Sequence, residues 1–436
     1  MSFAAIIGNN RQSLEAGCGG VTPSTQALSR VGMNGEQQGL EIALEGHRVS
    51  AVSSWLRRAW AVSRSVPARC SAAAVAFGAG AAVAAAGGKG VTILVHMART
   101  EPMAALVPRP FSFVQGGAHY DGVYFYAIAR DPLARGRAHG LIDLAAYRYG
   151  HPGYGWLAWV ASAGGQPRLV PYALLIISLL GLGVAGFAAS GLARDLGLSE
   201  WWGLSVAFNP GLLFAVTVDT SEAVEIALAL LIVLAWARGR WLWAGVGIAV
   251  GSFTKEPLLL FPLAIAVREC LRFAHGRRPS SPRARCSALV IGPILYGVWA
   301  IYCRHRLGVF SWTQVSQISW PFSGWVNTFQ RAAAQTSTGE YQVGMITTAL
   351  LVSAAGLLAL GLFRAVRRPD PLDAAFIAVA ALAFCTNAFV LLYPKDLLRM
   401  LALPIALLPF VVARARDSSR AEAAAGKDVL RVRSEL

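Results

Sequence analysis

The chain has 436 residues, of which 55% are hydrophobic and only 14% are charged, and its mean hydropathy is +0.50. Soluble domains carry roughly 25% charged residues, so this composition lies outside the soluble class; it also excludes a collagen-like fibre, a disulfide-stapled scaffold, a coiled coil and a wholly disordered chain. The 39 Lys and Arg residues exceed the 23 Asp and Glu residues by 16. These charges lie between long apolar runs, which indicates topology signals and contacts with lipid or phosphate, and not a nucleic-acid partner.

The two ends of the chain are polar. Residues 1–65 are rich in Gly and Ser and show no hydrophobic periodicity, and no signal peptide with a cleavage site opens them. We expect a disordered cytoplasmic tail here, or an upstream extension of a reading frame that starts at Met33. Residues 416–436 are expected to form a second cytoplasmic tail.

Between these ends, apolar runs dominate residues 66–415. A spanning helix needs about 20 apolar residues, and shorter runs must use flanking polar residues or lie broken under a cover of protein. The runs are 70–88, 169–193, 201–218, 226–237, 241–254, 257–267, 286–303, 343–363, 374–392 and 400–413. The chain is therefore predicted to be an all-α polytopic membrane protein with about ten transmembrane helices, several of them short or broken.

Basic residues indicate the orientation of this bundle. The loop 268–285 holds six arginines against one glutamate, and short loops with this bias face the cytoplasm. With ten crossings, both termini are cytoplasmic, and the membrane is the inner membrane of the cell. The opposite face receives a long first outer loop at 98–168 and a later one at 304–342, together with three charged corners near residues 219–222, 255–256 and 395–399.

The first outer loop carries the most informative motifs. It contains HYDGVYFY at 119–126 and YRYGHPGY at 147–154, and seven arginines are spread along it. Tyr and Trp form belts at membrane interfaces whatever the function, but a belt does not explain an acidic residue among the aromatics. The preference of basic residues for the cytoplasmic side applies to short loops and not to loops longer than about 60 residues, so an outer loop of this length can carry arginines. Arginine is the preferred partner of phosphate because its planar fork binds two oxygens.

These residues resemble a family. The HYDG sequence at 119–122 is similar to the first-loop acidic motif of GT-C-type membrane glycosyltransferases, multi-helix enzymes that take a sugar from a polyprenyl-phosphate carrier. The YRYGHPGY stretch and the FTKE corner at 253–256 resemble segments of bacterial, mannosyltransferase-like members. The resemblance covers roughly residues 65–415 as an architecture, through a few short motifs. It implies that Asp121 is the catalytic base; the Asp-x-Asp pair of some relatives is absent, which leaves a divalent-metal requirement open.

The chemistry of glycosyl transfer points to the same residues independently of the family resemblance. One carboxylate, here Asp121, takes the proton of an acceptor hydroxyl while phosphate leaves the sugar. The phosphate charge needs cations on the same face. His119 and His151 orient groups or shuttle protons, or serve only as interfacial hydrogen-bonding residues. The candidates for substrate or phosphate binding are His119, Tyr120, Arg148, His151, Lys255, Glu256 and Arg399.

The outer corners supply secondary candidates. Asp219, Glu222 and Glu225 recur every three residues, and an acid that enters the membrane is a functional candidate, although capping of the next helix explains the group equally well. Lys255 either points at a lipid phosphate or neutralises Glu256 beside it. Lys395 either contributes to the site or places its charge at the membrane surface.

Two functions follow from these residues. The first is a glycosyltransferase with a polyprenyl-phosphate sugar donor and a glycan, lipid or protein acceptor; the alternative is a transporter or flippase of a lipid-linked sugar. A transporter concentrates its charges near the bilayer midplane, whereas most charges outside the inner loops here lie on one outer rim. Gly181-x-Gly183 lies in an apolar run, where small residues serve helix packing rather than nucleotide binding. No certain cofactor and no metal-ligand spacing are found in the sequence.

Overall fold

The computed structural model describes residues 65–413 except 117–118, 277–280, 315–316, 338–340, 368–369 and 392. Both predicted tails lie outside the described residues, apart from Ser65. In the described part of the chain all regular secondary structure is helical, and two isolated β-bridges join Ala98 to Val114 and Ile318 to Thr386. The predicted all-α class is therefore confirmed.

Fourteen helices of seven or more residues make up most of this region. They are α1 (Val66–Ala86), α2 (Gly122–Arg130), α3 (Gly153–Ala161), α4 (Val170–Asp195), α5 (Pro210–Thr217), α6 (Glu222–Ala237), α7 (Trp241–Thr254), α8 (Leu260–Ala274), α9 (Pro282–Leu307), α10 (Ser323–Ser337), α11 (Tyr341–Ala365), α12 (Pro371–Phe384), α13 (Pro394–Met400) and α14 (Ala402–Ala413). Shorter helical segments are Val91–Val95, Pro102–Leu106, Ala138–Leu141, Ala145–Arg148, Glu200–Gly203, Leu204–Ala207, Glu256–Leu259, Ser311–Gln314 and Ala388–Leu391.

Four of these helices, α1, α4, α9 and α11, are long and apolar enough to cross a membrane. The pair α13 and α14, bent by 52° at their junction, would form a fifth span. The predicted number of ten is not reached by length and composition, because the run 201–218 is divided between short segments and the run 241–254 gives a helix of only 14 residues. The described chain is thus an all-helical protein with four to five candidate spans, as expected of a multi-pass membrane protein.

Local sequence explains where the helices begin and how closely they pack. The Ser65 side chain accepts a hydrogen bond from the N–H of Ala68 and caps α1, and Asp370 and Asp373 form a capping box at the start of α12. Gly181 of α4 faces the backbone of Ala223, where an added Cβ would lie 2.9 Å from the carbonyl carbon. The packing role predicted for the glycines of this run therefore holds at Gly181.

Segment 98–168, predicted as a long outer loop, contains α2 and α3, and its aromatic side chains belong largely to the core. Tyr126, Tyr149 and Tyr154 are completely buried. The Tyr149 hydroxyl donates to the carbonyl of Asp131 at 2.6 Å, and the Tyr154 hydroxyl donates to the carbonyl of Leu174 at 2.8 Å. Tyr154 therefore fastens the segment to α4, whereas Tyr149 joins two parts of the segment itself. An interfacial belt does not account for these buried tyrosines.

Two glycines bring the sequence motifs together. At Gly122, directly after Asp121, an added Cβ would lie 2.6 Å from the carbonyl oxygen of Val95 and 2.7 Å from that of Val218. At Gly153 an added Cβ would lie 2.8 Å from the carbonyl oxygen of Phe253. Because only glycine permits such close approach, the HYDG motif packs against Val95 and against Val218 at the end of α5, and the YRYGHPGY motif packs against the FTKE corner.

Candidate functional site

The motifs surround a cavity of about 250 Å³. Its walls include the aromatic rings of Phe125, Tyr147, Tyr296 and Trp312. A smaller neighbouring cavity of about 20 Å³ shares Lys255 and Arg399 and adds Glu225. The acidic, basic and imidazole side chains that line the larger cavity are Asp121, His151, Glu222, Lys255, Glu256 and Arg399. All six are candidates from the sequence, and the structure brings them together from four separate regions of the chain.

Asp121 lies between two guanidinium groups. Its Oδ1 accepts a hydrogen bond from Nη1 of Arg148 at 3.1 Å, and its Oδ2 accepts one from Nη2 of Arg399 at 2.5 Å. Burial opposes ionisation of Asp121, but Arg399 and Arg148 outweigh it and hold the pKa of this carboxyl well below its usual range. Asp121 is therefore an ionised carboxylate at the cavity wall, with one arginine on each oxygen.

Arg148 is held in place by a chain of contacts among side chains that do not line the cavity. Its guanidinium carbon lies 3.5 Å from the centre of the Tyr124 ring, a cation–π contact. The Tyr124 hydroxyl lies 2.6 Å from Nε2 of His119, and Nδ1 of His119 lies 2.5 Å from Oε1 of Glu101. His119, predicted to bind substrate, therefore supports Tyr124 and through it Arg148. Glu101 and Tyr124 were not singled out from the sequence.

Glu222 connects the two cations of the cavity. Its Oε1 accepts a hydrogen bond from Nζ of Lys255 at 2.5 Å and lies 2.8 Å from Nε of Arg399. One helical turn further along α6, Oε2 of Glu225 lies 3.2 Å from the same Nζ. The capping alternative for this acidic group is not what the structure shows, because Ser221 occupies the N-cap without a side-chain hydrogen bond. Glu222 and Glu225 hold the cations instead.

Lys255 and Glu256 turn to different partners. Lys255 has an extended backbone (φ −164°, ψ 144°), so neighbouring side chains point in opposite directions. Glu256 approaches His151, with Oε1 2.8 Å from Nδ1. Burial opposes ionisation of Glu256, but the His151 imidazole outweighs it and lowers the pKa to about 2. Lys255 and Glu256 therefore do not neutralise each other. Lys255 pairs with Glu222, and Glu256 pairs with His151.

Tyr120 and Lys395 lie beside the cavity and outside its lining. The Tyr120 ring is 5.1 Å from the guanidinium carbon of Arg399 and 4.8 Å from Nζ of Lys395, and its hydroxyl donates to Asp396. Tyr120 thus contacts Arg399 through its ring, while its hydroxyl is held by Asp396. Asp396 was missed from the sequence, although its place three residues before Arg399 on a helix brings the two side chains to one face.

Asp219 is the secondary candidate that the structure keeps apart. Its side chain is completely buried, does not line either cavity, and has no hydrogen-bond partner among the described residues. Its φ of +48° is a left-handed conformation that few non-glycine residues adopt. Burial raises the pKa of this carboxyl well above its usual range. Asp219 shapes the turn into α6 and does not pair with the cations described above.

The arginines of segment 98–168 are less concentrated at the site than the sequence led us to expect. Arg148 reaches Asp121, whereas Arg135 uses its Nε to donate to the Tyr302 hydroxyl at 3.2 Å. Within the described ranges no group of three or more His, Cys, Asp and Glu side chains is arranged to hold a metal ion. The carboxylates at the cavity take arginine, lysine or histidine as partners.

Comparison of the chain with protein-family models finds no match, and comparison with curated proteins finds none either.

Proposed function

We propose that the chain is a membrane glycosyltransferase that moves a sugar, with mannose as a candidate, from a polyprenyl-phosphate carrier to an acceptor hydroxyl. One observation carries the proposal: the Asp121 carboxylate lines the same cavity as the cations Lys255 and Arg399. Transfer from a phosphate needs both components, a base for the hydroxyl and cations for the departing phosphate.

The proposed reaction is a single displacement. The acceptor oxygen attacks the anomeric carbon of the sugar, and the bond between that carbon and the phosphate oxygen breaks. The hydroxyl proton passes to Asp121, while the electron pair of the broken bond stays on the phosphate. Arg399 and Lys255 stabilise the negative charge that develops there.

A lipid-linked donor fits the surroundings of the cavity. Trp312 and Ile318 line it and are also 58% and 61% exposed, and Trp320 and Phe322 nearby along the chain are exposed as well. In a multi-pass membrane protein, exposed apolar side chains beside a charged cavity suit a ligand with a charged head and a hydrocarbon chain. A soluble sugar nucleotide has no hydrocarbon chain that could contact these exposed apolar side chains.

The proposal includes a topology. We propose that the shorter helices α6, α7, α8 and α12 and the broken segment 201–218 complete ten crossings, with the polar backbone of the broken segment covered by protein. Val206, Leu212 and Val216 of that segment are fully buried, which supports such a cover. Both termini then face the cytoplasm and the cavity opens at the outer face of the inner membrane, where a glycan, lipid or protein supplies the acceptor hydroxyl.

Release of polyprenyl phosphate tests the function. The purified full chain is incubated with a panel of polyprenyl-phosphate sugars and an envelope extract as the source of acceptor. We expect release from at least one donor and, because general-base catalysis contributes about 10²–10⁴-fold, a loss of that order in Asp121→Asn. The matched control is Asp195→Asn, which removes a carboxylate from Arg238 (2.6 Å) away from the cavity lining and should leave release near the wild-type rate.

Two outcomes contradict parts of this proposal. Full release by a folded Asp121→Asn protein eliminates Asp121 as the base. A folded wild-type protein that releases polyprenyl phosphate from no donor, yet moves a lipid-linked sugar between the leaflets of a vesicle, is a transporter or flippase.

A further inference from the structure

The guanidinium of Arg399 is occupied by carboxylates of the protein itself. Nη2 donates to Oδ2 of Asp121 at 2.5 Å, and Nε lies 2.8 Å from Oε1 of Glu222. Arg399 nevertheless lines both cavities, so its side chain stands where a ligand would enter. Any phosphate that binds this arginine has to compete with a carboxylate.

The two arginines on Asp121 differ in how firmly they are held. Arg148 lies flat on the Tyr124 ring, has Oδ1 of Asp143 3.5 Å from its Nε, and is not part of either cavity lining. Arg399 faces the cavity. Of the two contacts to Asp121, the one from Arg399 is therefore the contact that a ligand in the cavity can replace.

The local charge balance favours such a replacement. Around the cavity cations, the connected ion pairs hold four carboxylates, Asp121, Asp143, Glu222 and Glu225, against three basic side chains, Arg148, Lys255 and Arg399. An added phosphate brings at least one more negative charge into a set that already holds no surplus of basic side chains, and like charges at close range repel. A planar guanidinium binds a phosphate through two parallel hydrogen bonds, so the phosphate can take over Arg399.

We propose that the phosphate of the lipid-linked donor displaces the Asp121 carboxylate from Arg399, while Glu222 keeps its contact to Nε of the same side chain. This inference rests on the proposed function, since it assumes a phosphate-bearing lipid. The displaced oxygen of Asp121 becomes an open acceptor for the proton of the incoming hydroxyl. With an arginine on each oxygen Asp121 is a weak base, and it becomes a stronger one once the donor is in place, which orders the reaction and restrains attack in the donor's absence.

Binding of a prenyl phosphate to the full-length chain tests this exchange without any transfer assay. Farnesyl phosphate is titrated into the purified protein in detergent, with farnesol as the probe that lacks a phosphate. Asp121→Asn keeps the shape of the side chain and removes the competing charge, so we expect its Kd for farnesyl phosphate to fall about tenfold. The Kd for farnesol should not change, and Asp195→Asn should bind both probes as the wild type does.

Several outcomes overturn the exchange. A Kd for farnesyl phosphate that is unchanged or higher in Asp121→Asn shows that Asp121 does not compete with phosphate. A wild-type protein that binds farnesyl phosphate no better than farnesol shows that the cavity does not recognise phosphate. Inorganic phosphate serves as competitor: weak competition supports a lipid ligand, whereas competition as strong as by farnesyl phosphate itself assigns the site to free phosphate and overturns the lipid part.

A measurement on the wild-type chain keeps the exchange testable even where the variant fails to fold. When a carboxylate loses a guanidinium partner, its infrared stretching band shifts, so the difference spectrum with and without farnesyl phosphate should show one shifted carboxylate. Farnesol should leave the carboxylate bands unmoved. Spectra that are unchanged by saturating farnesyl phosphate contradict the displacement.

Failure of this inference differs from failure of the proposed function. If Asp121→Asn abolishes transfer but binds farnesyl phosphate like the wild type, the enzyme stands and the exchange falls. If Asp121→Asn binds farnesyl phosphate more tightly than the wild type does, but the wild-type protein turns over no donor, the exchange is supported and the transferase assignment is wrong.

Discussion

Two arginine–carboxylate clusters near opposite ends of α8 use the same residue types for different purposes. The cavity cluster lies where the chain enters this helix and consists of Asp121, Glu222, Lys255 and Arg399. The Glu269 cluster lies toward its last turn and consists of Arg268, Glu269, Arg272 and Arg285. Members of the first cluster face open space, whereas neither described cavity includes a member of the second.

The Glu269 cluster connects neighbouring helices. One oxygen of Glu269 accepts a hydrogen bond from Arg268 at 2.5 Å and the other accepts one from Arg285 of α9 at 2.6 Å. Arg285 also stacks 4.3 Å from the ring of Trp241, the first residue of α7. These contacts tie α7, α8 and α9 together, so the charges here secure helix ends.

In the cavity cluster, by contrast, a single oxygen of Glu222 serves both Lys255 and Arg399. These cations have a cavity beside them into which an anion can bring further oxygens. A cluster of arginine and carboxylate therefore does not by itself define a binding site. Space beside the cations, and a carboxylate partner that can be exchanged, distinguish the cavity cluster.

The largest expected effect concerns stability. Glu222 is only 1% exposed, and Glu222→Ala leaves Lys255 and Arg399 with Glu225 and Asp121 as remaining partners. Because breaking a buried ion pair costs about 3–5 kcal/mol, we expect a loss near the low end, about 3 kcal/mol. The matched Glu269→Ala should cost less, about 1–2 kcal/mol, since its arginines can extend to the membrane surface. Thermal and denaturant unfolding in detergent measures both.

Equal destabilisation by Glu222→Ala and Glu269→Ala would remove the energetic distinction between the clusters. Glu269→Ala that loses transfer while remaining folded would contradict the structural role of the second cluster.

A change of arginine to lysine separates the clusters by chemistry. Arg399→Lys keeps the charge but loses the fork that holds Asp121 and Glu222 together, so we expect the kcat/KM for the donor to fall about 100-fold. Arg268→Lys is the matched variant in the Glu269 cluster and should change kcat/KM less than about twofold, because Arg268 lines neither cavity. Steady-state release of polyprenyl phosphate gives both values, and similar losses in the two variants would refute the distinction.

Much of the cavity cluster could be predicted from the sequence. In a chain with few charges, a carboxylate among aromatics and a Lys-Glu pair between apolar runs stand out, and Asp121, Lys255 and Arg399 were identified in this way. Charges within an apolar bundle need partners, so these residues had reason to meet. Which of them pair was not predictable: Asp121 and Arg399 are 278 residues apart, and their contact depends on how α2 and α13 pack.

Other features left no local signal. Tyr296 and Trp312 form walls of the cavity, yet in the sequence each is one aromatic among many. His119 and Tyr120 directly precede Asp121 in sequence, but their side chains lie outside the cavity lining and contact Glu101 and Asp396. The number of ten spans stays a prediction, because hydropathy measures apolar length and does not reveal where a run such as 201–218 breaks.

The smallest effect is expected in the pH dependence of transfer, and it bears directly on why the cavity cluster differs from the Glu269 cluster. Asp121 has to be ionised to accept a proton, so the rate rises with pH through its pKa. Arg399 and Arg148 together hold that pKa well below the usual range in the free protein. The proposed exchange of Arg399 to the donor phosphate would remove one of these opposing charges, and the pKa of Asp121 should then rise.

The profile of kcat/KM reports the free protein and that of kcat reports the donor complex. The acid limb of kcat should therefore lie at higher pH than the acid limb of kcat/KM. Glu269→Gln, which changes only the second cluster, should keep this separation. Coincident acid limbs in the wild type would mean that Asp121 keeps both arginines when the donor binds, and the two clusters would then differ only in having a cavity beside them.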